Sequence, residues 1–196
     1  MAVMDSISAA KDNMRKEIRA ILSSLPEEYF RQSDSVITHI VSTLPEFLKA
    51  KTVFIYVSVG HEPDTYGIIG TALDFGKIVL VPRCGDAPNM ESVRIQSPGE
   101  LSPGMYGIPE PRAALPSVNP SEIDLAVIPC VAADFTGGRL GHGAGYYDAF
   151  LGRVSCTKLC LCRGAAVVNS VPTGSSDIPA DIVVTESGAV FCNPNL

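Results

Sequence analysis

Apolar residues recur at helical spacing from the start of the chain. Met14, Ile18, Ile21, Leu22 and Leu25 share one face of residues 8–24, and Pro26 closes the segment. Phe30, Val36, Ile37, Ile40 and Val41 repeat the pattern over 27–43, which predicts a second helix. The texture then changes to short continuous apolar runs. Thr52 to Val59, rich in β-branched and aromatic residues, reads as a buried strand. Residues 64–75 read as a helix and Ile78 to Val81 as a short strand. Further on, Ile123 to Ile128, 157–162 and 181–185 have the buried-strand pattern, 165–168 is a short apolar stretch, and Tyr146 to Leu151 begins a helix. Strands alternating with helices imply a mostly parallel sheet with helices packed on both faces, an α/β fold in three layers.

One stretch interrupts this rhythm. More than half of the fifteen prolines lie within residues 82–122, where Ser92 to Gln96 is the one clear strand signal. It has too few apolar residues for a core of its own, so it reads as a loop-rich β excursion within a single domain spanning 1–196. No internal repeat or low-complexity tract is present.

Composition narrows the class. With 46% hydrophobic and 18% charged residues, the 196-residue chain can bury a substantial core. A net charge of −6 argues against a duplex nucleic-acid partner, which needs a basic face. No apolar run has the length of a membrane span, and Asp5 falls where a secretory signal would be apolar. Lys11, Arg15, Lys16 and Arg19 would suit a mitochondrial presequence, but a docked first helix in a cytoplasmic, monomeric protein is the expectation. Cys156, Cys160 and Cys162 invite a zinc site, yet they lie in an apolar run that reads as a core strand. His39, His61 and His142 are too scattered for a transition-metal centre.

The candidate chemistry centres on residues 134–148. Five glycines between 137 and 145 leave backbone amides open to a ligand, Arg139 supplies a fixed cation, and Tyr146, Tyr147 and Asp148 follow. Amides and a guanidinium suit polyphosphate oxygens, and a carboxylate suits the accompanying hard cation. The loop follows a strand and precedes a helix, which places it at the carboxyl edge of the sheet, where ligands collect. Gly60 to Thr65 follows the first strand and belongs at the same edge. There Glu62 is the candidate ligand contact, and Asp64 or Thr65 the helix cap. Lys11 and Arg15, four apart, project from one face of the first helix and are candidate triphosphate ligands. Asp148 and Asp181 are the candidate metal carboxylates. No G-x-x-x-x-G-K-[ST], G-x-S-x-G or H-E-x-x-H motif is present.

The run Gly137 to Asp148 resembles the signature of the 5-formyltetrahydrofolate cyclo-ligase (5,10-methenyltetrahydrofolate synthetase) family. Lys11-x-x-x-Arg15, Glu62-Pro63-Asp64-Thr65, Tyr106 to Pro111, and Asp181 to Glu186 resemble that family's other motifs, in the same order. The resemblance implies a Rossmann-like open sheet and ATP- and Mg²⁺-dependent closure of 5-formyltetrahydrofolate to 5,10-methenyltetrahydrofolate. It implies that Lys11, Arg15, Arg139, Leu140, Gly141, His142, Gly143, Ala144, Gly145, Tyr146 and Tyr147 bind ATP. It implies a folate site at Val57, Glu62, Tyr106, His142 and Tyr147, Mg²⁺ at Asp148 and Asp181, and catalytic roles for Arg139 and Tyr147. Four positions depart from the family pattern: His142 where Tyr or Arg is usual, Ala144 for Gly or Lys, Ala149 for Arg, and Ala166 for Gln.

Two rival readings remain at this stage. One is a non-catalytic folate or nucleotide binder, suggested by those departures. The other is an NADP-dependent oxidoreductase with Arg163 beside a 2′-phosphate, although the G-x-G-x-G spacing from Gly141 does not match the dinucleotide pattern.

Overall fold

The computed structural model describes residues 2–104 and 107–194. Helices α1 (Ala2–Ser23), α2 (Glu27–Thr43) and α3 (Pro45–Lys49) precede the first strand, β1 (Thr52–Ile55). Then come α4 (Tyr66–Asp74), β2 (Ile78–Cys84), β3 (Met90–Ile95), β4 (Leu101–Pro103), β5 (Pro109–Pro111) and β6 (Ser117–Val118). The second half holds β7 (Leu125–Ile128), β8 (Ala132–Ala133), β9 (Arg139–Leu140), α5 (Tyr146–Leu151), β10 (Thr157–Leu161), β11 (Ile182–Thr185) and β12 (Gly188–Phe191).

The main sheet has the order β12-β11-β10-β7-β1-β2-β3-β6. Its centre, from β11 to β2, is parallel, and β12, β3 and β6 join antiparallel at the two sides. Alternate residues of each strand serve opposite faces. Phe54, Leu80, Ala126, Cys160 and Val183 pack with Ile18 and Leu22 of α1 and Phe150 of α5. Val53, Val79, Leu125, Leu159 and Ile182 pack with α2, α3 and α4 through Ile37, Phe47 and Ile68. Three layers result, as the alternation of elements predicts.

The differences from expectation are local. The strand expected over 52–59 pairs only to Ile55; beyond it the chain is held by Tyr56 N donating to Val127 O. The excursion is not a detached ribbon, because β3 and β6 extend the main sheet, while β4 and β5 form a separate pair. The apolar stretch at 165–168 begins within a 3-10 turn at Gly164–Ala166. Cys156, Cys160 and Cys162 lie buried in the α1/α5-side core, which is where their apolar context places them.

Candidate active site

Parallel strands bring the chain exits after β1, β7 and β10 to one edge of the sheet, and the site is built there. After β7, strands β8 and β9 pair as a tight hairpin, Ala132 opposite Leu140 and Ala133 opposite Arg139. Asp134 organises its turn. One carboxylate oxygen accepts from Thr136 N at 2.9 Å, Thr136 Oγ1 at 2.6 Å and Gly138 N at 3.0 Å, and the other accepts from Val171 N at 2.7 Å. Burial would raise this carboxyl, but those donors outweigh it and hold it below the usual range. Two of the five glycines are therefore required by the packing of this turn. A Cβ at Gly138 would run into the Asp134 carboxylate, and one at Gly137 (φ +93°) would sit 2.5 Å from Ala180 O.

The remaining three, Gly141, Gly143 and Gly145, carry the chain from β9 into α5. Arg15 reaches this segment from α1: its Nε donates to Gly141 O at 2.8 Å, and its guanidinium packs beside Gly143. Gly145 (φ +75°) turns the backbone directly into α5. Tyr146 OH donates to Gly85 O at 2.9 Å, which fixes the helix against the β2–β3 turn.

Arg139 is almost wholly buried, its side chain 3% exposed, and Nη2 pairs with Asp148 Oδ1 at 2.6 Å. Its Nε is buried with no partner among the described residues. An unpaired guanidinium N–H in such a place costs about 1–3 kcal/mol until an acceptor arrives. The carboxylate near it on the other side is Asp177. Lys11 Nζ grips both Asp177 oxygens at 2.7 and 2.5 Å, Gly174 N donates to one of them at 2.6 Å, and Ile178 N donates to Asp148 Oδ1 at 3.1 Å. Burial pushes the Asp177 carboxyl up, but the Gly174 amide, Lys11 and the Arg139 charge together hold it below the ordinary value. A cleft of about 270 Å³ opens here, lined by Arg139, Thr136, Ser170, Thr173, Gly174 and Asp177 among others.

The loop after β1 forms the other half. Glu62 Oε2 accepts from Val59 N at 2.9 Å, and its Oε1 lies 3.0 Å from His142 Nε2, which ties this loop to the glycine segment. Val57 is buried beneath it. Tyr147 lies between the halves: the Arg139 guanidinium sits 6.0 Å from its ring centroid, and the Glu62 charge acts on its hydroxyl. Burial first, then Glu62, pushes the Tyr147 phenol well up, so it stays a neutral donor at physiological pH. Thr65 does not cap α4 with its side chain; it donates to Tyr56 O and accepts from Ser58 N, while Asp64 Oδ2 accepts from Gly67 N.

The structure thus brings together Lys11, Arg15, Arg139 and Asp148 on one side, and Val57, Glu62 and His142 on the other, with Tyr147 between. Asp181 stands apart from this group. At the start of β11, its Oδ2 accepts from Lys158 N and Nζ, and its Oδ1 accepts from Asn193 Nδ2. Tyr106 lies outside the described residues. No group of three or more metal-ligating side chains is found among the described residues. One contributor escaped the sequence reading, Asp177, and Arg163 entered it only in the oxidoreductase alternative. Asp177 follows Gly174-Ser175-Ser176, which reads only as a turn, whereas Arg163 directly follows a strand and its position at the ligand edge was available.

An open, mostly parallel sheet flanked by helices is an α/β architecture in which ligands bind beside the carboxyl ends of the strands. The model of the 5-formyltetrahydrofolate cyclo-ligase family matches residues 7–186. A probable 5-formyltetrahydrofolate cyclo-ligase of Caenorhabditis elegans is 29% identical, with 96% of this chain and 98% of the relative covered. The 5-formyltetrahydrofolate cyclo-ligase of Escherichia coli K12 is 30% identical, with 83% and 92% covered. Among solved structures, the 5,10-methenyltetrahydrofolate synthetase of Aquifex aeolicus superposes with a TM-score of 0.83 at 32% identity, covering 93% of this chain and 92% of that one. The chain belongs to the 5-formyltetrahydrofolate cyclo-ligase family, ligases that convert 5-formyltetrahydrofolate to 5,10-methenyltetrahydrofolate.

Proposed function

We propose that this chain carries out that conversion with ATP bound in the Arg139 cleft and the folate against Glu62. The observation that carries this reading is Arg139, which lines the cleft and has a buried Nε without a partner among the described residues, together with Asp177 of the same lining, which Lys11 pairs with. The γ-phosphoryl passes to the formyl oxygen and ADP leaves. N10 then attacks the formyl carbon, loses its proton, and expels the oxygen as phosphate. Phosphoryl transfer asks the protein for positioning and charge neutralisation, not for a covalent nucleophile. Lys11, Arg15 and Arg139 supply fixed positive charge, and we assign the amides of residues 140–147 to the same ligand. Tyr147, kept neutral, donates its hydroxyl proton in a hydrogen bond at the formyl end, and His142 and Val57 complete the folate wall.

For Mg²⁺, the donor set fits at Asp148. Its Oδ1 is taken by Arg139 and Ile178 N, while Oδ2 accepts no hydrogen bond among the described residues. Bound there, the cation would neutralise the phosphates during transfer, as one or two carboxylates plus phosphate oxygens allow. Asp148 is the carboxylate we assign to it; the oxygens of Asp177 are held by Lys11 and Gly174, as those of Asp181 are by Lys158 and Asn193. Both halves of the site come from one chain, which supports action as a monomer. No described helix is long and apolar enough to cross a membrane, and we place the enzyme in the cytoplasm.

Titration calorimetry with each ligand alone tests the two halves. Glu62→Gln should weaken 5-formyltetrahydrofolate binding at least tenfold and leave ATP binding within twofold, on the order expected for losing one charge-assisted hydrogen bond. Unchanged folate affinity would remove Glu62 from the site.

A further inference from the structure

Arg163 follows β10 and is 3% exposed at its side chain, yet it takes no part in the reaction proposed above. Its contacts converge on the loop that carries Glu62. Nε donates to His61 O at 3.0 Å and Nη2 donates to Glu62 O at 2.8 Å. Nη1 donates to Phe30 O at 3.3 Å, and the guanidinium plane lies 5.0 Å from the Phe30 ring centroid. The Phe30 ring in turn stacks on His61 at 4.9 Å with 12° between planes. Asp34 of α2 completes the arrangement: its Oδ1 pairs with Arg163 Nη2 at 2.7 Å and accepts from Asp64 N at 2.9 Å. The residues on either side of Glu62, and Glu62 itself, are therefore fixed through their backbones by one buried cation and its counter-ion. The rigid fork of an arginine fixes the directions of its donors toward two adjacent carbonyls, whereas a lysine ammonium on its flexible stem does not.

We propose that Arg163 is a positioning residue for folate recognition, holding the 61–64 backbone so that the Glu62 carboxylate points across the cleft toward His142. This rests on Glu62 being the folate anchor. A carboxylate held only by its own loop would wander, and misplacement by about 1 Å can cost on the order of a hundredfold in a site that depends on orientation. The pairing of Val59 N with Glu62 Oε2 is short-range and fixes the carboxylate relative to its loop. Arg163 fixes the loop relative to the sheet. The two are complementary, so the effect of Arg163 should pass through Glu62.

The test is a double-mutant cycle on the full chain, read as dissociation constants for 5-formyltetrahydrofolate and, separately, ATP. Arg163→Gln is expected to weaken folate binding about tenfold or more while ATP binding stays within twofold. In the Glu62→Gln background the same substitution should weaken folate binding less than twofold. Arg163→Lys, which keeps the charge but not the fixed fork, should fall between wild type and Arg163→Gln and guards against a variant that fails to fold. Equal, additive losses in both backgrounds would overturn the proposal, as would parallel losses of ATP and folate binding, or no loss in either Arg163 variant. Unchanged folate affinity in Glu62→Gln alone would overturn the anchor itself, a result that the single variant reports independently.

Discussion

Replacing Arg139 with Met separates the energetic role of this residue from its chemical one. The guanidinium is buried, makes one ion pair, and has no acceptor at Nε among the described residues. An ion pair in such surroundings gives back in attraction about what it lost in desolvation, and the orphan N–H adds a cost of about 1–3 kcal/mol. Met fills similar volume with no polar group to satisfy. Asp148 loses its partner but keeps the Ile178 amide and is 28% exposed, so water can take up its free oxygen. These contributions nearly cancel, and the variant's stability should lie within about 1 kcal/mol of wild type, a melting shift of no more than about 4 °C for a chain of this size. Activity should respond quite differently. Losing a fixed cation at a transferring phosphoryl group removes roughly 3–4 kcal/mol of transition-state stabilisation, or about a hundredfold to a thousandfold in kcat/KM for ATP. Thermal melting and steady-state kinetics on the same preparation read both quantities. A folded variant with near-normal ATP kinetics, or one that melts more than about 10 °C lower with activity lost in proportion, would refute the reasoning.

Other consequences are as direct. Gly137→Ala forces a side chain into φ +93° and against Ala180 O, and should cost about 2–4 kcal/mol in urea unfolding, whereas Gly152→Ala, at φ −63° with its nearest neighbour atom 3.4 Å away, should cost less than about 1 kcal/mol. Asp148→Asn should raise the magnesium concentration for half-maximal activity about tenfold or more, while Asp181→Asn should leave it within twofold and lower the melting temperature instead. Asp134, Asp177, Asp181 and Glu186 all have folded-state carboxyls held below their ordinary values, so their contribution to stability is complete above the unfolded pKa of about 4 and is lost as pH falls below it. Urea midpoints measured from pH 7 down to pH 3 should be flat to about pH 5 and then fall. A midpoint that rises over that acid range would contradict the assignment.

Helical spacing and buried runs made the three layers legible, because α2 and the central strands each bury a continuous face. Short pieces left weaker traces. Helix α3 has five residues, too few to display a period, and β12 is only half-buried along Gly188–Val190, so its composition lacks an apolar stripe. The glycine loop was recognised as functional from composition, but composition could not divide its glycines. Gly137 and Gly138 are required by the close approach of Ala180 and Asp134, both of which only the fold brings near. Asp181 is an acid before the last parallel strand, and a sequence carries no sign that its oxygens turn to Lys158 and Asn193.

The central claim is that ATP and folate meet across Tyr147 and react. It is tested most directly by mixing the protein with 5-formyltetrahydrofolate, Mg²⁺ and ATP and following the near-ultraviolet absorbance of the methenyl product alongside released phosphate. The account predicts that the two appear in equal amounts, and that neither appears when ATP is omitted. Folate binding without methenyl formation, or phosphate release that is independent of 5-formyltetrahydrofolate, would contradict it.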